Sequence, residues 1–561
     1  MNILSKLILP ISVALTLGAC DKSKTNSDKE SQNKVKPPIS SAVDLGRRIE
    51  TLSSDAFDGR APGTKGGQLA SQYIADEMAA AGLKPMGENG TYFQPVELTA
   101  TTLLPSSSMT IQKGEELVME SDIMDGATNS VFWSKQLEPS VSFEESEMVF
   151  VGYGVVAPEY GWNDYEGLDV RGKTVVMLVN DPGFATQDPE LFKGNAMTYY
   201  GRWTYKYEEA GRQGAAAALV IHETEPASYP WEVVSGSWTG AQFDLVRPEG
   251  ATNRTLLEGW LSKEAATDVL SSGGLDYETL KVAAQQKGFE PVSLDGVSLS
   301  ARIDQTVATT QSRNVVGGVE GTERPDEYVL YMAHWDHIPT KPELADGIYN
   351  GAVDNATGTA AILEIGQAFV EQGAPERSAI FVAVTAEESG LLGSAYYAAD
   401  PVVPLEKTVA GINIDAILPV GKTKDMIVIG YGASELEDRL KAILEPRDMY
   451  IAPDPSPEAG YFYRSDHISL AKLGVPMIYS DSGVDHVVFG KEYGLAFEDQ
   501  YRAERYHKPA DEYDNSWDLS GIEQTSEILF HLGYDLANSE DWPNWYEGGE
   551  FKALRDAMMT E

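Results

Sequence analysis

From Ser312 onward, short apolar runs alternate with helical patterns, and three of the runs are followed at once by metal-capable side chains. Tyr328–Ala333 runs into His334-Trp335-Asp336-His337. Ala379–Thr385 runs into Ala386-Glu387-Glu388, and Val409–Ile414 into Asp415. Fully apolar strands interleaved with helices, here Ala356–Glu371, Glu435–Leu444, Asp466–Lys472 and Leu519–Ala537, imply an α/β fold. Its sheet is mostly parallel (mixed at most), with helices on both faces. In such a sheet the carboxyl ends of the strands share one rim, where ligands bind. Half-buried carboxylates gathered on one rim are costly unless a cation pairs with them. A divalent metal removes that cost.

Two loops add donors. Asn350-Gly351-Ala352-Val353-Asp354-Asn355-Ala356-Thr357-Gly358 precedes a helix, and Arg505-Tyr506-His507-Lys508-Pro509-Ala510-Asp511 lies late in the chain. The single cysteine, Cys20, lies in the first twenty residues, so neither a thiolate metal site nor a cysteine nucleophile is available to the body. Imidazoles and carboxylates remain, a set that suits zinc and, less well, cobalt or manganese. Of the seven histidines, His222, His486 and His531 stand in no motif and are expected to be structural. His337 is read as structural, with a place lining the site as the alternative, and His467, in Arg464-Ser465-Asp466-His467, as a packing or substrate-facing residue.

Taken in order, these motifs resemble the zinc aminopeptidase and glutamate carboxypeptidase family of co-catalytic exopeptidases. The resemblance implies a metal set of His334, Asp354, Glu388, Asp415 and His507, with Asp354 bridging two Zn2+ ions and Glu387 as general base. Asp336 is expected to orient His334, and Tyr506 to help stabilise an oxyanion. The loop Asp55–Gly67 and the segment Gly90–Gln94 also look like this family. The expected function is removal of N-terminal residues from peptides. The rivals are a carboxypeptidase of the glutamate type, with Arg464 as one contributor to a basic pocket, a one-zinc glutaminyl cyclase, and a non-catalytic binding module.

Before the metal motifs, residues 136–299 change style. Glu147–Val156, Thr174–Asn180 and Ala215–Ile221 are strand-like runs bounded by glycines. This stretch resembles a protease-associated domain, a β-rich module inserted into several exopeptidases. The peptidase domain is then 41–135 joined to 300–540, with a tail at 541–561. The helix expected over Gly67–Ala81 presents Leu69, Tyr73, Ile74 and Met78 at helical spacing and stops at Gly82.

At the N-terminus, Lys6 leads an apolar run from Leu7 to Leu17 that ends in Leu17-Gly18-Ala19-Cys20. The run is short for a membrane span and suits a signal peptide. Its end resembles a bacterial lipobox. Residues 1–20 are therefore expected to be a lipoprotein signal, Cys20 a lipid anchor, and 21–40 a polar tether. The location this implies is the bacterial cell envelope, lipid-anchored on its periplasmic or extracellular face. A net charge of −43 argues against nucleic acid as a partner, since phosphate binding needs a basic footprint.

Overall fold

The computed structural model describes residues 42–122, 128–237, 241–246, 254–341 and 344–560. The signal, Cys20 and the tether lie outside the described residues. Among those residues no helix is long and apolar enough to cross a membrane.

The peptidase body is a mixed sheet of eight main strands: β1 (Phe93–Leu103), β2 (Val292–Val319), β3 (Arg324–His334), β4 (Arg377–Val384), β5 (Thr408–Asn413), β6 (Asp425–Ile429), β7 (Tyr450–Pro453) and β8 (Met477–Ser482). The spatial order is β1-β2-β4-β3-β5-β8-β6-β7. The central four, β4-β3-β5-β8, are parallel. Although β2 and β3 are consecutive, β4 lies between them and pairs with both.

The apolar runs are continuous because both sheet faces are covered. Along β3, Val329, Tyr331 and Ala333 face a core built with helices α1 (Ala42–Leu52), α2 (Lys65–Ala80), α3 (Gly358–Gln372) and α5 (Ser520–Ala537). Leu330 and Met332 face the opposite core, with Tyr397 of α4 (Leu392–Ala399) and with Leu470. A fully buried side chain of this size is worth about 1.5–3 kcal/mol, and a slip of one residue would exchange the two faces of every strand. The register that aligns the strand ends is thereby fixed. His334 stands opposite Val384, and Met332 opposite Asn413.

The stripe that α2 buries differs from the expected one. Ala70, Ile74, Ala75 and Met78 face the core, while Leu69 is 42% exposed.

A second body is inserted between β1 and β2. The chain leaves at Leu103 and returns at Gln305, which is its antiparallel partner. Strands Ser108–Lys113 and Ser130–Trp133 pair with this second body, and Met109, Ile111 and Phe132 lie in its core. It therefore begins ahead of the expected boundary at 136. The cause is β2 itself: its first half pairs with Ser108–Lys113 and its second half with β1, so one strand serves both bodies. The insertion also carries helices, Trp203–Arg212, Lys263–Ser272 and Tyr277–Ala284, around parallel strands Thr174–Leu178, Ala217–Ile221 and Leu257–Leu261.

Candidate metal centre

His334 closes β3, Glu387 and Glu388 follow β4, and Asp415 follows β5, so the parallel register delivers all four to one rim. The loop before α3 brings Asp354 between them. Its two carboxylate oxygens face different partners. Oδ1 lies 3.3 Å from His334 Nε2, and Oδ2 lies 3.2 Å from His507 Nε2. His334 Nε2 also lies 3.1 Å from Asp415 Oδ1, and His507 Nε2 lies 3.3 Å from Glu388 Oε2.

These spacings fit metal ligation. Donors about 2.0–2.2 Å from a tetrahedral ion stand roughly 3.3–3.5 Å from one another. Two donor groups can each close on one ion: His334, Asp354 and Asp415, and His337, Asp354 and Glu388. His507 sits against the second. Of the two readings of His337, structural or lining the site, its position beside Asp354 and Glu388 favours the second. Its ring is fully buried, and its Nδ1 lies 2.6 Å from Glu388 Oε1. The sequence placed it three residues after His334 and left both readings open.

The donors shift one another strongly. Burial alone would pull His507 down, but Glu388 and Asp354 outweigh it and raise the imidazole to about 9. His334 is likewise raised well above the usual range, with Asp415, Glu387 and Asp354 outweighing its burial. Burial pushes Asp336 and Asp466 up to about 7. Glu387 is raised well above the carboxylate range by burial and by Glu388, Asp415 and Asp466, against the pull of His334. Glu388 is held below it, because His507 and His337 outweigh its burial. Neighbouring groups are split between acid and base in this way at functional sites.

Hydrogen bonds hold the donors in place. Asp336 works differently from expectation. His334 Nδ1 faces the backbone oxygen of Asp336 at 3.2 Å, with the carboxylate at 4.0 Å. That carboxylate instead accepts the backbone N–H of Glu387, 3.1 Å away. Asp415 Oδ2 accepts from the Ser465 hydroxyl at 2.6 Å, and Ser465 accepts from Asn413. Asn355 accepts from Gly358 N and Ala416 N and donates to Ile414 O, tying the Asp354 loop to the end of β5. A Cβ on Gly358 would stand 2.2 Å from Asn355 Oδ1, so only glycine fits there. Asp511 accepts the N–H groups of Val353 and Asp354, joining the His507 loop to the Asp354 loop.

Arg60 is a residue that motif reading missed. Its buried guanidinium donates to the carbonyls of Trp335, Gly351, Asp354 and Leu52 at 2.7–3.2 Å, and also to Asn350. It thus clamps the His334 and Asp354 loops together. The available signal was an arginine inside a turn-rich loop, Asp58-Gly59-Arg60. Backbone strain also gathers at the rim. Ala386, Ala416 and His507, beside or within the donor set, all have positive φ, which costs a non-glycine residue about 1 kcal/mol or more.

Tyr506 stacks on His507 with ring centroids 4.0 Å apart, and burial raises its phenol, so it stays protonated. The other histidines are packed elsewhere. His467 is buried against Phe462 and Tyr479 and lowered to about 3 by burial, hence neutral. His222 faces Tyr229 O, His486 accepts two backbone N–H groups, and His531 pairs with Glu527.

Part of the chain is similar to known peptidases. Residues 314–533 match the model for Peptidase family M28. A glutamate carboxypeptidase 2 homolog from Caenorhabditis elegans is 26% identical over 359 residues, 53% of this chain and 43% of that protein. Aminopeptidase NAALADL1 from Mus musculus is 35% identical over 136 residues, 23% of this chain and 17% of that protein. The chain thus matches less than half the length of these relatives. Among solved structures, an aminopeptidase from Aneurinibacillus sp. strain AM-1 is 17% identical with a TM-score of 0.49, covering 90% of this chain and 95% of that one. A zinc aminopeptidase from Bacillus subtilis is 16% identical with a TM-score of 0.43, covering 91% and 99%. The likeness to peptidase family M28 therefore spans residues 314–533, the stretch that carries His334, Asp354, Glu388, Asp415 and His507.

Proposed function

We propose that this chain is an aminopeptidase that holds two zinc ions, one at His334, Asp354 and Asp415 and one at Asp354, Glu388 and His507. One observation carries the reading: Asp354 turns one carboxylate oxygen to each of two imidazoles, as a bridging ligand must. Bound there, zinc supplies a water of near-neutral pKa and polarises the scissile carbonyl. The remaining work falls to the chain. Glu387, its Oε2 4.0 Å from His334 Nε2, takes a proton from the attacking water and returns it to the departing amine. Its raised affinity for protons suits both steps. Asp336 fixes the Glu387 backbone. The protonated Tyr506 hydroxyl donates to the oxyanion. The inserted body, read as a protease-associated module, touches the peptidase body, with Tyr199 against Tyr463 and Met197 N–H donating to Pro457 O. A lipid on Cys20 would keep the enzyme at a membrane of the cell envelope.

Glu387→Gln tests the base. The variant should keep both ions by elemental analysis and lose turnover by about 10²–10⁴-fold. Full activity would remove Glu387 from the mechanism.

A second reading is favoured by one feature. Arg202 of the insertion is buried, with its Nε unpartnered, and is lowered to about 10 by burial and by the nearby Arg464. Arg464 itself lies within electrostatic reach of Tyr506 and Glu387. Two guanidiniums brought together beside the centre would welcome a carboxylate, as a carboxypeptidase of the glutamate type requires. Matched peptides blocked at either end separate the two readings.

A further inference from the structure

The two donor groups are not equivalent, and His337 makes the difference. On the His334 side the chain offers one imidazole and two carboxylates. On the Glu388 side it offers Asp354, Glu388 and His507, and the His337 ring stands on that side as well. His337 is completely buried, and neither ring nitrogen has a hydrogen-bond partner, although Nδ1 stands 2.6 Å from Glu388 Oε1. Oε1 has no donor either. The contact is close, but no N–H of the ring points along it. A buried imidazole and carboxylate held this close, with no further partner, are costly to keep there unless a shared cation draws them together. Both imidazoles, His337 and His507, thus stand against the one carboxylate of Glu388.

The backbone is arranged to admit the ring. Gly351 has φ +55, and a Cβ there would stand 2.6 Å from the His337 ring atoms and 2.3 Å from Asp354 O. Any larger residue would push the imidazole out of the rim. Its ring also meets that of His507 edge-on, with centroids 5.9 Å apart, as two imidazoles converging on one point would.

We propose that His337 is a fourth protein donor on the Glu388 side, so that the centre has one closed, tightly held metal position and one open position beside Glu387. The inference rests on the two-ion reading. Its chemical sense follows from coordination number. Four protein donors saturate a tetrahedral zinc, as in structural sites, whereas three leave a position for water or substrate. The open position is then the one at His334 and Asp415, where Glu387 Oε2 approaches within 4.0 Å of His334 Nε2. The closed position would serve to fix Asp354 and the His507 loop.

Metal binding tests this without recourse to activity. Metal-free protein is titrated with Zn2+ against a competing chelator, and the single-loaded Co2+ and Zn2+ forms are examined by X-ray absorption. The wild type should bind two ions with affinities at least 100-fold apart, the tighter one showing two nitrogen donors. His337→Ala and His337→Gln should each weaken the tighter ion by more than 100-fold, and its nitrogen count should fall to one. The weaker ion should be little changed. A loss confined to about 10–100-fold, with both nitrogens kept, would make His337 an orienting partner of Glu388 and overturn the proposal. So would unchanged affinities. Circular dichroism of the metal-free variants separates misfolding from lost ligation, and the Gln variant keeps side-chain bulk against Gly351. If the wild type binds one ion in total, the two-ion reading itself fails, which is a different outcome from two ions untouched by the substitutions.

Discussion

Replacing Arg60 with Met should separate the rim's architecture from its chemistry. The Met side chain keeps much of the stem volume but strips the donors from the carbonyls of Trp335, Asn350, Gly351, Asp354 and Leu52. Hydrogen bonds from a charged donor are each worth about 1.5–3 kcal/mol. Their sum overstates the loss, because burying the guanidinium is itself costly; burial pulls its pKa down, against Asp354, Asp511, Asp336 and Glu388. The net loss expected when one side of a buried charged network is removed is about 3–5 kcal/mol. At 1.4 kcal/mol per decade, this lowers the folding constant by about 10²–10³-fold or somewhat more. Urea unfolding of metal-free protein reads that loss directly. Zinc affinity should fall as well, because the loops carrying His334 and Asp354 lose their common anchor. Arg60→Lys should recover less than half of the stability, since an ammonium offers three donors at one point rather than a fork. Stability within about 0.5 kcal/mol of wild type for Arg60→Met, with unchanged zinc affinity, would refute the clamp.

Other consequences concern the same rim. Ser465→Ala removes the hydroxyl that Asp415 accepts from and should weaken metal binding about 10–100-fold, read by competition with a chelator. Asn355→Ala breaks three buried hydrogen bonds between the Asp354 loop and the end of β5 and should cost about 2–4 kcal/mol in thermal or urea unfolding. In metal-free protein, His507 is raised to about 9 and His334 is raised too. Their protonated forms favour folding below pH ~6.5, and that contribution is lost as pH rises towards 9. The raised Asp336 and Asp466 add a penalty as pH climbs from about 4 to 7. Metal-free stability should therefore fall with rising pH over this range, while zinc-loaded protein, whose ions replace those protons, should not follow it. Parallel slopes for the two forms would contradict the account.

Much of this was legible in the residues. Continuous apolar runs announced a sheet buried on both faces, and their alternation with helices announced parallel strands with one shared rim. His334, Asp354, Glu388, Asp415 and His507 do converge there. What escaped depends on contacts far apart in sequence. Arg60 reaches carbonyls some 275–294 residues away, and no local pattern encodes that. Asp336 carries the right residue type, but whether its carboxylate meets His334 or the Glu387 backbone depends on loop geometry. His337 stayed ambiguous because a histidine directly after an aspartate has no period to report. The boundary of the insertion was hidden in β2, a single strand whose halves belong to different sheets.

The most direct test of the central claim is hydrolysis of a panel of aminoacyl nitroanilides, followed before chelation, after chelation and after zinc is restored. The account predicts release that disappears with the chelator and returns in full only when two equivalents of zinc are bound. Release that survives complete removal of metal, or no release from any substrate with a free amino end by protein carrying both ions, would contradict it.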